Sequence, residues 1–96
     1  MLFAVTVTFT SENVGNIVQR FVQEVEKGEL SEDMTLITRY HSPITKWACM
    51  IVETDSAESL NLWGIKYNDL VDFEVHPVLT EEGVGPVVEA LMARHQ

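Results

Sequence analysis

The sequence predicts one α+β domain, residues 1–96, in which strands and helices follow the order β-α-β-β-α-β. Two observations carry this prediction. In some segments apolar residues recur every second residue, which is typical of strands, and in others they recur every three to four residues, which is typical of helices. The two kinds of segment alternate along the chain. Right-handed crossovers over a single sheet arrange this order as a split β-α-β, or ferredoxin-like, fold with a four-stranded antiparallel sheet. A further helix is expected at the C-terminus.

The first strand and the first helix are predicted from a change of period. Residues 2–9 alternate and are rich in β-branched side chains, which favours a strand. Residues 12–27 carry an apolar stripe at helical spacing, with Ser11 or Asn13 as the expected N-cap and Gly28 as the expected end. The stripe consists of Val14, Ile17, Val18, Phe21, Val22 and Val25.

The second and third strands are predicted at residues 34–41 and 46–53, as a hairpin whose loop is residues 42–45. This loop pairs His41 with Lys46, Arg39 with Ala48, and Ile37 with Met50. One side of the hairpin would then carry Leu36, Tyr40, Trp47, Cys49 and Ile51, and the other Ile37, Ala48, Met50 and Val52.

The second half of the chain repeats the pattern. Residues 55–58 resemble a capping box that opens a helix, and residues 70–79 alternate again as the fourth strand. The helical spacing is seen at Ala57, Leu60, Trp63 and Tyr67. The tail helix carries Val84, Val87, Val88, Leu91 and Met92, with Pro86 expected in its first turn. It packs on the domain or on a neighbouring molecule.

Charge and composition exclude several classes of partner. Six Lys and Arg against fifteen Asp and Glu give a net charge of -9, which disfavours binding to nucleic acid and to anionic membrane surfaces. Cys49 is the single cysteine, so no internal disulfide forms, and its apolar surroundings favour a buried hydrophobic role. The start of the chain lacks the features of a signal peptide. We therefore expect a cytoplasmic protein.

Both sides of the predicted hairpin are largely apolar, although the two helices cover only one face of the sheet. The uncovered face needs a partner, and a two-fold homodimer with sheet packed on sheet is the simplest arrangement. The tail helix folding back over this face is the alternative.

Several segments together resemble a family of short bacterial proteins classed as a domain of unknown function (number 3303). The resemblance covers nearly the whole chain and is carried by residues 1–6, Arg39-Tyr40-His41, residues 51–55, Trp63 and residues 67–78. In element order the chain also resembles the dimeric α/β-barrel superfamily, which includes small monooxygenases and haem-degrading enzymes. The resemblance implies a dimeric barrel and no established activity.

Four residues are the main candidates for binding or catalysis. His41, a possible base, closes a strand beside Arg39, which suits an anionic substrate. Trp63 and Tyr67 are expected to wall a pocket between helix and sheet, although aromatic residues at this spacing more often fill a core. Tyr40, next to His41, and Glu53, before the second helix, are further ligand-binding candidates.

Asp72, Glu74 and His76 share one face of the last strand and are weak candidates for a metal site. Residues two apart on a strand are about 7 Å from each other, so a solvated or dimer-facing polar stripe is the favoured interpretation. Glycine-rich phosphate loops, paired-cysteine motifs and His-Glu-x-x-His are absent from the sequence, and no cofactor is expected.

Two hypotheses remain open from the sequence. The first is a homodimer that binds a small ligand or serves as an interaction module. The second is a cofactor-free monooxygenase- or isomerase-like enzyme, which requires open space between helix and sheet. A solid core of Phe3, Val5, Phe21 and Trp63 would exclude the second hypothesis.

Overall fold

The computed structural model describes residues 1–96 and has the predicted order of elements, followed by a C-terminal helix. The strands are β1 (Leu2–Thr8), β2 (Thr35–Ser42), β3 (Trp47–Glu53) and β4 (Asp72–Val78). The helices are α1 (Val14–Glu26), α2 (Ala57–Gly64) and α3 (Glu81–Arg94), and short 3-10 turns lie at Ser11–Asn13 and Pro43–Thr45.

The four strands form one antiparallel sheet in the order β2-β3-β1-β4, which confirms the ferredoxin-like arrangement. Cross-strand partners share a face of the sheet. One face carries the rows built on Val5 and Val7, and we call it the helix face because α1 and α2 pack against it. The opposite face, which carries the rows built on Ala4 and Thr6, is the open face.

The predicted hairpin register is wrong by two residues. His41 pairs with Ala48, and Arg39 pairs with Met50. The cause is that β2 continues to Ser42 and the turn ends at Lys46, whose φ of 54° places it in the left-handed region. Moving the loop by one residue changes each pairing by two, so these side chains keep their faces.

A bulge in β2 changes the face of Leu36. The ladder shifts between Leu36 and Thr38, so that Leu36 pairs with Val52 while Thr38 pairs with Ile51. The extra residue, Ile37, breaks the alternation. Leu36 therefore belongs to the helix face and not to the face of Tyr40, where the sequence placed it.

The core lies between the helix face and the two packed helices. Its buried hydrophobic residues come from β1, β3, α1, α2 and the segments that flank them: Val5, Ile17, Met34, Met50, Val52, Leu60, Trp63, Tyr67 and Val71. Only 11 of 96 residues are buried. The core is therefore small, and the chain leaves much apolar surface exposed.

The helix ends differ in detail from those predicted. Asn13 is the N-cap of α1, but its side chain makes no capping bond there. Ser56, not Asp55, caps α2, and its hydroxyl accepts from the backbone N–H of Ser59. The reciprocal carboxylate bond of a capping box is absent because the third helical residue is Ser59 and not a Glu.

α3 projects from the domain. None of its residues is buried, and the radius of gyration is 16.0 Å, against about 12.5 Å for a compact chain of this length. Pro86 lies inside the helix and not in its first turn, because the helix begins at Glu81. None of the three helices combines the length and the apolar run that crossing a bilayer requires.

Gly28 adopts a φ of 84° immediately after the C-cap of α1. A side chain in this left-handed conformation is strained by about 1–2 kcal/mol. We expect Gly28→Ala to lower the free energy of unfolding by about 1 kcal/mol in urea denaturation. Gly15, which lies within α1 with open space around it, is the matched control. Gly15→Ala should raise stability by up to about 1 kcal/mol, and equal effects of both variants would contradict this account.

Candidate functional site

A cavity of about 340 Å³ lies between α1 and the helix face of the sheet. We call it the α1 cavity. Its helix side is formed by Val14, Ile17, Val18 and Phe21, and its sheet side includes Val7, Ala48, Met50 and Phe73. It is open to solvent, and Val18 on its helix side is 56 % exposed. The space between α1 and the sheet is thus filled only in part, although Ile17 and Trp63 belong to the core.

Polar contacts hold α1 in place beside this space. Asn13 donates from Nδ2 to the carbonyl oxygen of Leu70 at 3.1 Å. About two helical turns further along α1, Arg20 donates to the carbonyl oxygen of Lys66 at 2.8 Å. It also binds both carboxylate oxygens of Asp69, at 2.9 and 3.1 Å. These bonds fix the helix to the segment after α2, whereas Ile17 is its single buried residue.

The polar centre of the cavity is the carboxylate of Glu29, which is only 7 % exposed. Its Oε1 accepts from Nη2 of Arg39 at 2.6 Å. Its Oε2 accepts from Nε1 of Trp63 at 3.0 Å and from the hydroxyl of Tyr67 at 2.7 Å. Three donors, from β2, from α2 and from the turn after α2, therefore converge on one carboxylate. A buried charge requires hydrogen-bond donors of this kind to replace the water that it has lost.

The hydrogen bonds decide the protonation state of this group. Burial alone raises the pKa of Glu29, but the bonds from Tyr67, Arg39 and Trp63 outweigh it and hold this pKa below its usual value. Burial and the neighbouring carboxylate raise the pKa of Tyr67. Glu29 is thus held ionised and Tyr67 neutral, so neither is suited to exchange a proton near neutral pH.

The backbone around Glu29 is fixed as well. Nζ of Lys66 donates to the carbonyl oxygen of Glu29 at 2.5 Å. Lys66 also supplies the carbonyl that Arg20 binds. The loop after α1, the segment after α2 and α1 itself are consequently joined in one chain of polar contacts.

Arg39 and His41 present the other polar groups of the cavity. They are neighbours on the helix face of β2, two residues apart, and both contact Phe21. The guanidinium of Arg39 lies 5.0 Å from the centre of the Phe21 ring, and the His41 ring meets the same ring edge-on at 5.5 Å between centroids. His41 is exposed and makes no hydrogen bond within the chain, so its ring nitrogens are free.

The structure brings together four of the residues selected from the sequence: Arg39, His41, Trp63 and Tyr67 all line the α1 cavity. Tyr67 is not on α2, which ends at Gly64, but in the turn that follows. Its ring still lies 5.8 Å from that of Trp63. Tyr40 and Glu53 lie on the open face by their register, opposite Cys49 and Leu2, and neither of the two lines the cavity.

The three weak metal candidates do not converge on one point. Asp72, Glu74 and His76 lie in a row on the open face of β4, and only Glu74 and His76 approach each other, at 3.8 Å. No group of three His, Cys, Asp or Glu side chains is placed to hold a metal ion. An extended strand separates such side chains too far for all three to converge.

Sequence reasoning missed Glu29, the residue around which the site is built. A glutamate after a helix-ending glycine carries no signal of its own. A signal was present in Trp63 and Tyr67, because a buried indole N–H and a buried phenol each require an acceptor. Two such donors four residues apart predict a common acceptor, although they do not say which residue supplies it.

Comparison with known proteins identifies the chain at the level of a family. The model of a family described as a domain of unknown function (DUF3303) matches residues 1–92. Among curated proteins, none matches the chain.

The ionised state of Glu29 predicts an acid sensitivity. A carboxyl whose pKa is lower in the folded chain stabilises the fold at pH values above its unfolded pKa, and this stabilisation is lost as the pH falls through the folded value. For Glu29 the loss begins near the ordinary value of 4.5 and extends below it. The free energy of unfolding, measured in urea between pH 7 and pH 3, should therefore fall less steeply in Glu29→Gln than in the wild type.

At neutral pH the same variant should be less stable by about 1–3 kcal/mol, because Arg39 loses its charged acceptor. Glu32→Gln is the matched control, since Glu32 is an exposed carboxylate in the same loop, and it should keep the wild-type slope. Identical acid slopes in the wild type and Glu29→Gln would contradict the assignment.

Proposed function

Because the chain belongs to the DUF3303 family, whose description assigns no activity, we propose its function from the geometry: it is a homodimer that binds a small molecule in the α1 cavity. The observation that carries the proposal is an open, mainly apolar cavity with a few fixed polar groups. Ligand sites typically have this composition and a volume of about 300–1,000 Å³.

The cavity has features of a binding site rather than of a packing defect. Fourteen of its eighteen lining residues are hydrophobic, so an apolar molecule would gain by entering it. Its polar residues are held by an ion pair and by aromatic contacts, which lowers the entropy lost on binding. The cavity is open on one side, where a ligand can enter without a rearrangement of the fold.

One observation favours enzymatic activity as a second candidate. His41 lines the cavity and has no hydrogen-bond partner within the chain, so its imidazole is free to exchange a proton with a bound molecule. A proton acceptor in an apolar cavity suits an isomerase-like reaction and a cofactor-free monooxygenase alike, because both begin with removal of a proton from the substrate. Turnover that His41→Gln abolishes, while binding persists, would distinguish the enzyme from the binding protein.

Surface area supports a partner subunit. The chain exposes 6895 Å², whereas a compact monomer of its mass exposes about 5,600 Å². The difference of about 1,300 Å² is larger than the roughly 800 Å² that each partner contributes to a standard interface. A second copy packed against this chain would cover a comparable area.

The open face of the sheet is the proposed contact. Its β3 side carries the half-buried, apolar Ile51, beside Ala4 of β1. Its β4 side carries Asp72 and Glu74. Packing of the apolar halves around a two-fold axis leaves the carboxylates near the rim, where they stay hydrated.

α3 provides independent support for the homodimer. It contains Gly83, Gly85 and Pro86, which together disfavour an isolated helix by about 5 kcal/mol relative to alanine. It has no buried residue of its own chain to offset this cost, and its apolar stripe is exposed: Val87, Val88, Leu91 and Met92. Contact with a second copy would supply the missing stabilisation.

Ligand binding can be tested with N-phenyl-1-naphthylamine, a neutral apolar fluorophore. The wild type should bind it saturably with enhanced emission. Ala48→Phe should reduce this binding at least about tenfold, because the new ring occupies the sheet side of the cavity. Ala57→Phe, at an exposed position of α2, is the matched control. Undiminished binding to a folded Ala48→Phe variant, verified by circular dichroism, would locate the probe elsewhere.

The homodimer can be tested by light scattering coupled to gel filtration. The wild type should have twice the mass of one chain at micromolar concentration. Ile51→Lys should yield monomers, because it places an unpaired charge in the apolar half of the interface. Ile44→Lys is the control, since Ile44 is 91 % exposed in the hairpin turn. A monomeric wild type would refute the homodimer without bearing on the cavity.

A further inference from the structure

We propose that the α1 cavity selects neutral carbonyl compounds, such as aromatic ketones or esters, over carboxylates, and that Arg39 is the specificity-determining residue that donates to the carbonyl oxygen. This inference rests on the proposed function, because it names the ligand class of the same cavity.

Arg39 has donors to spare. Of the five N–H donors of its guanidinium, the hydrogen bond to Glu29 engages only Nη2. The other two nitrogens, Nε and Nη1, make no hydrogen bond in the chain. No buried side-chain nitrogen or oxygen atom lacks a partner, so these two nitrogens reach accessible space. The side chain is 14 % exposed and lines the cavity, where its free donors could meet a ligand oxygen.

The Arg39 guanidinium is also held in position. Glu29 fixes one end by an ion pair with a distance of 2.6 Å, and the ring of Phe21 supports its plane from 5.0 Å away. Glu29 is in turn fixed by Trp63 and Tyr67. The free donors are consequently aimed by the fold before a ligand arrives, which is the condition for selective hydrogen bonding.

Charge decides between the two kinds of acceptor. Arg39 is the only lysine or arginine that lines the cavity, and Glu29 already neutralises it. A ligand carboxylate at Arg39 would meet the Glu29 carboxylate through the same guanidinium, and it would lose its hydration among apolar side chains. A ketone oxygen accepts the same hydrogen bonds without either penalty. The site therefore offers donors without net positive charge.

Aromatic side chains indicate the shape of the ligand body. Phe21, Trp63 and Phe73 line the cavity, and the rings of Trp63 and Phe73 lie 5.2 Å apart. Flat rings stack favourably against such walls. A ligand with a planar apolar body and one carbonyl group matches both the walls and the donors.

The test compares three probes of one skeleton on the wild-type protein by equilibrium dialysis: naphthalene, 2-acetylnaphthalene and 2-naphthoate. All three probes are measured at one pH and in one buffer, so that they differ only in the group attached to the naphthalene ring. We expect 2-acetylnaphthalene to bind about tenfold more tightly than naphthalene, and at least about tenfold more tightly than 2-naphthoate.

The outcomes separate the two proposals. If 2-naphthoate binds as tightly as 2-acetylnaphthalene, or if the ketone gains nothing over naphthalene, the assignment of the ligand class is overturned while ligand binding stands. If none of the probes, including N-phenyl-1-naphthylamine, binds the folded protein, the proposed function itself fails.

Glu29→Gln tests the cause of the selectivity. Without the opposing carboxylate, Arg39 retains an uncompensated charge, and the preference should move at least about tenfold toward 2-naphthoate. Glu32→Gln, the exposed control in the same loop, should keep the wild-type preference. An unchanged preference in a folded Glu29→Gln variant would overturn the role of Glu29, and the wild-type series decides the ligand class if that variant does not fold.

Discussion

The burial of one carboxylate, that of Glu29, constrains the arrangement of the helix side of this domain. A charge removed from water must find donors or the fold loses several kcal/mol. Here the donors come from β2, through Arg39, and from the end of α2 and its following turn, through Trp63 and Tyr67. The loop that carries Glu29 is thereby fastened to both, and an error in any one of these positions would leave a buried polar group unsatisfied.

The same polar contacts explain why a cavity persists in so small a domain. Apolar packing alone would draw α1 onto the sheet, because empty space forfeits dispersion contacts. Asn13 and Arg20 instead bind the segment after α2, and the helix keeps only Ile17 buried. The fold gives up some packing on this side and retains a space with fixed walls.

The two surfaces to which we assign roles lie on opposite faces of the sheet. The α1 cavity is on the helix face, whereas the contact that we propose with a second copy is on the open face. Arg39 and Glu29 form an ion pair with no net charge. The charge inside the cavity therefore differs from that of the protein as a whole, whose net charge is -9.

The sequence by itself determined the order of the elements, the single sheet, the helix end at Gly28 and four cavity residues, because hydrophobic period and turn-forming residues act locally. Tertiary structure alone decided the hairpin register, where one residue of loop length and the bulge at Ile37 act across strands. It also decided that Glu29 is buried, that Tyr40 and Glu53 face away from the cavity, and that α3 stands free. All of these features depend on contacts between residues that are far apart in the sequence. Such contacts produce no hydrophobic periodicity from which a single sequence could predict them.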